Sequence, residues 1–300
     1  MTASKTQKAI ARVFLPAAVL LTLSSFLVTR HMGGSLAAME LAITVPSLAA
    51  LVIAMWLEQR MPHKADWNTP HGDALTNWLS FCVLAGAMQP LLKIMLPLLV
   101  IALAGNPAPA FGLFPTELPF IAQVLLATLL AELASYWVHR WHHTQRALWW
   151  LHALHHGSER LYSINNFRTH PLEYAVKTVL SLLPLMLLGT PPDVLLGYLA
   201  VTQPVLMLQH VNLPLRHGFL NYIFSTNTLH RWHHSTQPGE GNTNYGSALL
   251  VWDQVFGTFY YPKDKAEPAH VGLYADSRYQ SRASFGAQVV SMFNLQCCKA

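Results

Sequence analysis

The chain has 300 residues, of which 52% are hydrophobic and only 11% charged, with a formal net charge of +5. A soluble domain carries roughly 25% charged residues, so this balance excludes an ordinary soluble globular protein and points to an integral membrane one. The positive excess is no nucleic-acid footprint, because no Lys/Arg cluster with interleaved aromatics occurs; scattered cations at membrane edges account for it.

In chain order, Lys5, Lys8 and Arg12 precede an apolar run from Val13 to Val28. That run exceeds the ~7–15-residue core of a signal peptide and is followed by more apolar segments, so it reads as a retained first span. Segments of spanning length fall at about 10–29, 38–57, 76–104 and 118–138. The third holds Pro90, Lys93 and Pro97, which predicts a kinked helix whose lysine snorkels or lines a cavity. Two further runs, about 172–189 and 193–210, are separated by "GTPPD" and read as a helical hairpin dipping into or through the bilayer. The expectation is an all-α integral membrane protein of four to six apolar helices, one domain over 1–300. Three cysteines cannot build a disulfide framework. Cys82 is expected in the core, and Cys297 and Cys298 as inert thiols, with lipidation as the alternative.

Cations set the expected orientation. Lys5, Lys8 and Arg12, then Arg60 and Lys64, then Arg140, Arg146, Arg160 and Arg168 fall in alternate loops, whereas the intervening loops carry Arg30 alone or no Lys or Arg at all. An even number of crossings before residue 139 puts all the basic loops on one face, expected to be cytosolic. The segments 58–75, 139–170 and 213–300 then share that face, and with them every histidine-dense stretch.

Those stretches carry the chemistry. "HRWHH" holds His139, His142 and His143; "HALHH" holds His152, His155 and His156; a second "HRWHH" holds His230, His233 and His234. On a helix, residues three and four apart share a face, so each box aims two or three imidazoles from one turn. The bland alternative is a set of amphipathic interfacial residues; three boxes on one side argue against it. Imidazole suits Zn, Cu, Fe and Ni, and eight or nine exceed the four that close a structural zinc site, so two metals fit better. H-E-x-x-H is absent, since Arg140, Trp141, Arg231 and Trp232 fill the intervening positions, which excludes a zincin. No G-x-S-x-G occurs for a hydrolase. A metal-binding or transport protein without redox turnover is the second reading, and would need mid-membrane ligands; only Lys93 stands out there.

The ordered series "ELASYWVHRWHH", "LWWLHALHHGSE", "RTHPLE", "LQHVNLPL", "LNYIFSTNTLHRWHHS", "NTNYG" and "WDQVFGTFY" resembles the fatty acid hydroxylase/sterol desaturase superfamily over about 125–262. The resemblance implies a helical cap on the cytosolic side carrying a di-iron site, with His139, His143, His152, His155, His156, His210, His230, His233 and His234 as ligands. It implies an integral-membrane oxygenase that takes O2 and two external electrons to hydroxylate or desaturate a lipid: a fatty acyl chain, a sterol or a relative. With no donor module in the chain, a separate electron carrier (ferredoxin- or cytochrome b5-like, with its reductase) is expected. The absence of a dilysine-type tail favours a bacterial inner membrane. Glu132 stands where many relatives have aspartate; it is expected either beside a ligand histidine or satisfying a polar group at the membrane edge. His142 is expected to donate to a backbone carbonyl or face the headgroups, and His170 to orient the loop after the second box. Asn242, Asn244 and Gly246 are expected as turn residues supporting the last box, and Asp253 as structural. Trp137, Trp141, Trp149 and Trp150 suit either substrate positioning or interfacial anchoring.

Overall fold

The computed structural model describes residues 4–69, 71–105, 111–262 and 264–293. Helix α1 (Lys5–His31) starts from a capping box in which Ser4 Oγ accepts the Gln7 N–H and the Gln7 side chain accepts the Ser4 N–H. Helix α2 (Leu36–Glu58) starts on the N-cap Ser35. The third span comprises α3 (Ala74–Val83), a π-turn over Leu84–Met88, and α4 (Gln89–Ala104), which stops at Gly105 with φ 69°. Then follow α5 (Phe120–Thr144), α6 (Arg146–His156), α7 (Pro171–Leu188), α8 (Pro192–Met207) and the short α9 (Asn227–His233). No strand longer than an isolated bridge occurs among the described residues.

Among the described residues five helices are long and apolar enough to cross a membrane: 5–31, 36–58, 74–104, 120–144 and 171–188. Their outward faces expose Leu20, Leu41, Val52, Leu98 and Leu125, which a bilayer covers and water would not. The protein is an integral membrane protein. Helix α8 is shorter, at 16 residues, and sits inside the bundle with Val194, Gly197 and Ala200 buried. Gly197 permits a close approach to α5: a Cβ there would lie 2.5 Å from Val124 Cγ2. Leu15 and Ala18 of α1, Ala50 and Ala54 of α2, and Val205 of α8 form one apolar cluster. Val124, Ala127 and Ala131 of α5, Leu185 of α7, and Val194 and Tyr198 of α8 form another.

The helices alternate in direction. Arg30 pairs with Asp193 at 2.9 Å, joining the end of α1 to the start of α8 on one face. On the other face the Arg216 N–H donates to Ala11 O, and buried Glu58 Oε1 accepts the backbone N–H groups of Ser163 and Asn212. The carboxylate at the end of α2 thus clamps two loops of the histidine-bearing cap. All three boxes emerge on this face.

Several expectations change. Helix α5 continues past 138 to Thr144, so the first box lies on the spanning helix itself. The third span departs from α-helical bonding at the π-turn over Leu84–Met88, which contains Gly86, the residue whose carbonyl Pro90 has no N–H to bond. Lys93, expected to snorkel or line a cavity, has an exposed ammonium that pairs with Glu40 near the start of α2. Cys82 is exposed on α3 rather than packed in the core. Cys297 and Cys298 lie outside the described residues.

Candidate metal centre

Three helices and one turn bring the histidines together. Helix α5 supplies His139 and His143 one turn apart; α6 supplies His152, His155 and His156; α9 and its C-cap supply His230, His233 and His234; His210 lies on the turn after α8. They sort into two quartets that cut across the boxes. His139, His143, His152 and His233 form one, and His155, His210, His230 and His234 the other, with the candidate ligand atoms of each within 4.8 Å of one another. In the first, His139 Nε2 lies 3.0 Å from His152 Nε2. In the second, His230 Nε2 lies 2.9 Å from His210 Nε2 and 3.1 Å from His234 Nε2, and His155 Nε2 is 3.1 Å from His234 Nε2. His156 belongs to neither quartet. It lies between them, its ring 4.2 Å from that of His234 and its Nε2 3.2 Å from His152 Nε2.

The outer nitrogens explain which way the lone pairs point. His139 Nδ1–H donates to Tyr245 O at 2.7 Å, His233 Nδ1–H to Thr243 O at 2.8 Å, and His155 Nδ1–H to Arg168 O at 3.0 Å. His152 Nδ1 meets Glu173 Oε1 at 2.6 Å, His210 Nδ1 meets Asn165 Oδ1 at 2.8 Å, and His143 Nδ1 meets Asn242 Oδ1 at 3.2 Å. A ring that donates from Nδ1 holds a bare lone pair at Nε2. All four rings of the first quartet are in that state, and His143 Nε2 and His233 Nε2 are buried with no partner. Four lone pairs converging in a dry pocket repel unless a cation sits among them. The residues therefore fit a metal ion, and an all-imidazole set without thiolate or carboxylate suits a borderline transition metal. The second quartet fits less completely, since His230 and His234 leave Nδ1 without a partner.

Electrostatics agree. Burial, reinforced by neighbouring imidazoles, holds His152, His156, His210, His230 and His234 well below the ordinary histidine value. Burial takes His155 down to about 3 and His233 to about 4. The rings are neutral at physiological pH, the form that ligates metal.

The flanking residues divide. His142 Nδ1–H donates to Val138 O at 2.7 Å, one of its two expected roles, and its ring is buried rather than turned to the headgroups. Glu132 touches no imidazole. Its Oε2 accepts the N–H groups of Ala248 and Leu249 at 2.8 Å each, tying α5 to the segment after "NTNYG". His170 N-caps α7 through Nδ1 and donates from Nε2 to Val289 O, so it fixes the start of that helix and touches neither quartet. Asn244 takes φ 54° and bridges to Tyr260, as a turn residue should. Asp253 accepts the N–H groups of Tyr245 and Gly246 at 2.7 Å, which holds the carbonyl that His139 needs. Sequence reasoning missed Glu173, although it stands in the quoted "RTHPLE", three residues after His170. It also missed Asn165. Trp149 packs between the rings of His143 and His156 at 5.1 and 5.3 Å. Trp150 donates to Ser291, and Trp137 and Trp141 line an apolar groove on α5.

Comparison with known proteins gives a family model described as fatty acid hydroxylase, matching residues 124–258. The chain is 37% identical to an ornithine lipid hydroxylase, OlsE, of Rhizobium tropici, over 72% of this chain and 66% of that protein. It is 32% identical to an alkylglycerol monooxygenase of Danio rerio over 47% of this chain and 31% of that one. It is 23% identical to methylsterol monooxygenase 1-3 of Arabidopsis thaliana over 48% and 50%. The chain thus spans just under two thirds of the first relative and half or less of the other two. No solved structure matches.

Proposed function

The chain belongs to the fatty acid hydroxylase superfamily, and from that premise we propose that it hydroxylates a membrane lipid with O2 at a di-iron centre held by the two histidine quartets. One observation carries the reading: eight neutral, largely buried imidazoles gather into two adjacent quartets at the mouth of a spanning helix. On this reading His139, His143, His152 and His233 hold one iron and His155, His210, His230 and His234 the other. His156, between them, is the ninth ligand, available to either. Residues 125–262 are the catalytic region of one membrane-embedded domain.

Iron bound there would supply O2 activation, driven by two electrons from a separate carrier of the ferredoxin or cytochrome b5 kind. One oxygen atom enters a C–H bond and the other leaves as water with two protons. The protein's own residues do the rest. Glu173, Asn165, Tyr245 O, Thr243 O and Arg168 O fix the tautomers and ring orientations. Burial excludes bulk water, and the apolar groove beside α5 gives an alkyl chain a path toward the site from the bilayer. Desaturation of the same lipid would follow if a second hydrogen were lost in place of hydroxyl return. A transport reading gains no support, because Lys93 is exposed and paired. We place the histidine face in the cytosol, which the basic loops favour, and take the membrane to be a bacterial inner one. Comparing the lipids of cells with and without the gene tests the proposal: a hydroxylated lipid must appear with the gene and vanish without it. Unchanged lipid profiles in cells that make metal-loaded protein would refute it.

A further inference from the structure

The segment after the third box runs down beside α5, toward the middle of the membrane. Ala248 and Leu249 donate their backbone N–H groups to Glu132 Oε2 at 2.8 Å each, and the Trp252 indole N–H donates to Leu129 O at 3.0 Å. The Phe256 ring lies 5.2 Å from that of Tyr136 and 5.1 Å from that of Trp137. Arg30, paired with Asp193, sits over the Phe120 ring and marks the membrane edge opposite the boxes. At 1.5 Å per residue, Leu129 lies about 14 Å along α5 from Phe120 and Trp137 about 26 Å, both within a hydrocarbon core about 30 Å thick. The other edge shows on α1, where the Arg216 N–H bonds to Ala11 O, about 29 Å from Arg30 by the same rise.

The polar groups of this segment are spent internally, as surroundings without water require. Leu250 N–H donates to Ile223 O, Gln254 N–H to Leu250 O and Phe256 N–H to Trp252 O. Asp253, the one charged side chain between Ala248 and Phe256, is buried and accepts the N–H groups of Tyr245 and Gly246 and the Thr258 hydroxyl. Gln254, although exposed, turns its amide nitrogen back onto Tyr222 O. What faces outward is apolar. Val255 is 61% exposed, Phe256 is exposed beside it, and so are Phe219, Tyr222 and Ile223 of the turn that Leu249 bridges through Phe224. A contiguous exposed apolar patch marks a protein or membrane contact, and the position of this one along α5 selects the membrane.

We infer that residues 248–256, with the turn at 219–223, form a re-entrant element immersed in the acyl chains of the leaflet on the histidine side, so that the partner of this patch is the lipid bilayer itself. The chain enters and leaves the leaflet from one face, and this part of 213–300 lies in lipid rather than in water. Phe256 packs on Trp137, which also walls the apolar groove with Val138 and Trp141. The immersed element therefore borders that groove, and an alkyl chain reaches its rim without crossing water. The assignment is independent of the metal chemistry. The competing occupants of the patch are a second copy of this chain and a soluble protein.

A polarity-sensitive fluorophore attached at Val255→Cys tests this directly. The full-length, metal-loaded protein carries Cys82→Ser, Cys297→Ser and Cys298→Ser and is held in phosphatidylcholine vesicles. Leu20→Cys, on the lipid face of α1, and Asp276→Cys, in an exposed stretch, serve as references. The quenchers are iodide on both sides of the membrane and phosphatidylcholine bearing a nitroxide on its acyl chain. The Val255→Cys label should emit at the shorter wavelength seen at Leu20→Cys, lose intensity to the nitroxide lipid and keep it in iodide. The Asp276→Cys label should do the reverse. Quenching of the Val255→Cys label by iodide overturns the inference, because the patch then faces water and is free for a soluble partner. Protection from both quenchers overturns it too and assigns the patch to a second copy of the chain, with shielding that grows as the protein-to-lipid ratio rises. Should Val255→Cys fail to fold, Phe219→Cys repeats the comparison from the adjoining turn.

Discussion

Glu173 Oε1 lies 2.6 Å from His152 Nδ1, and both groups are buried. Burial keeps His152 neutral, its pKa well below the ordinary value, so the contact is a hydrogen bond from Nδ1–H to carboxylate that turns Nε2 toward the quartet. Glu173→Ala should reduce metal affinity about 10–100-fold, the range for partners of metal-ligating histidines. Glu173→Gln, which still offers an acceptor oxygen, should lose less. Iron titration of the two variants checks the order; equal affinity in Glu173→Ala and wild type would remove Glu173 from the account.

The first box offers a one-residue discrimination. His143 lies in a quartet, whereas His142 is turned aside onto Val138 O. His143→Ala should lose iron from the first quartet and abolish turnover. His142→Ala should keep its metal. Elemental analysis of both proteins decides, and loss of iron from His142→Ala with retention in His143→Ala would contradict the assignment.

Gly246 packs so tightly that a Cβ would lie 2.0 Å from Leu249 O and 2.8 Å from Asp253 Oδ2. Backbone cannot yield as a side-chain tip can, so Gly246→Ala should cost about 3 kcal/mol or more, the upper end of overpacking effects. The adjacent Tyr245 carbonyl holds His139, so metal should loosen together with stability. Thermal unfolding and iron content, measured on the same sample, must fall together.

Acid sensitivity follows from histidines outside the quartets. Burial lowers His217 to about 4, although it donates to Asn227 at 2.7 Å. Burial also lowers His63 to about 4 despite its contact with Glu267. Unfolded, each titrates near ~6.5. The unfolded chain therefore binds more protons between those values, so stability is complete above ~6.5 and is lost as pH falls toward ~4, by at most about 1.4 kcal/mol per pH unit for each ring. Melting of full-length protein should weaken through that window, less steeply in His217→Asn. A melting temperature that rises on acidification would contradict this.

Much of the molecule was readable before its structure. The spans follow from continuous apolar runs, and the boxes from spacings of three and four, because both depend only on neighbours along the chain. The sorting of histidines was not. His155 meets His234 across 79 positions and His139 meets the Tyr245 carbonyl across 106, pairings that arise only when α9 and the following loop fold over α5 and α6. Glu173 was hidden for the same reason: it reaches His152 across 21 residues and a turn. The pairing of Lys93 was hidden too, because its partner, Glu40, lies on another span.

Topology has a direct check. A cysteine placed at Leu113, on the loop opposite the boxes, should react with a membrane-impermeant thiol reagent only from the periplasmic side. One placed at Ser277 should react only from the cytosolic side. The reverse pattern would invert the orientation while leaving the centre intact.

Oxygen transfer tests the central claim most directly. Iron-loaded protein in membranes, given an electron donor and O2 labelled with heavy oxygen, should yield a lipid carrying a single labelled oxygen atom, in step with O2 consumed and with two irons bound per chain, one for each quartet. Fully metal-loaded protein that consumes no O2, or a product whose new oxygen comes from water, would contradict the account.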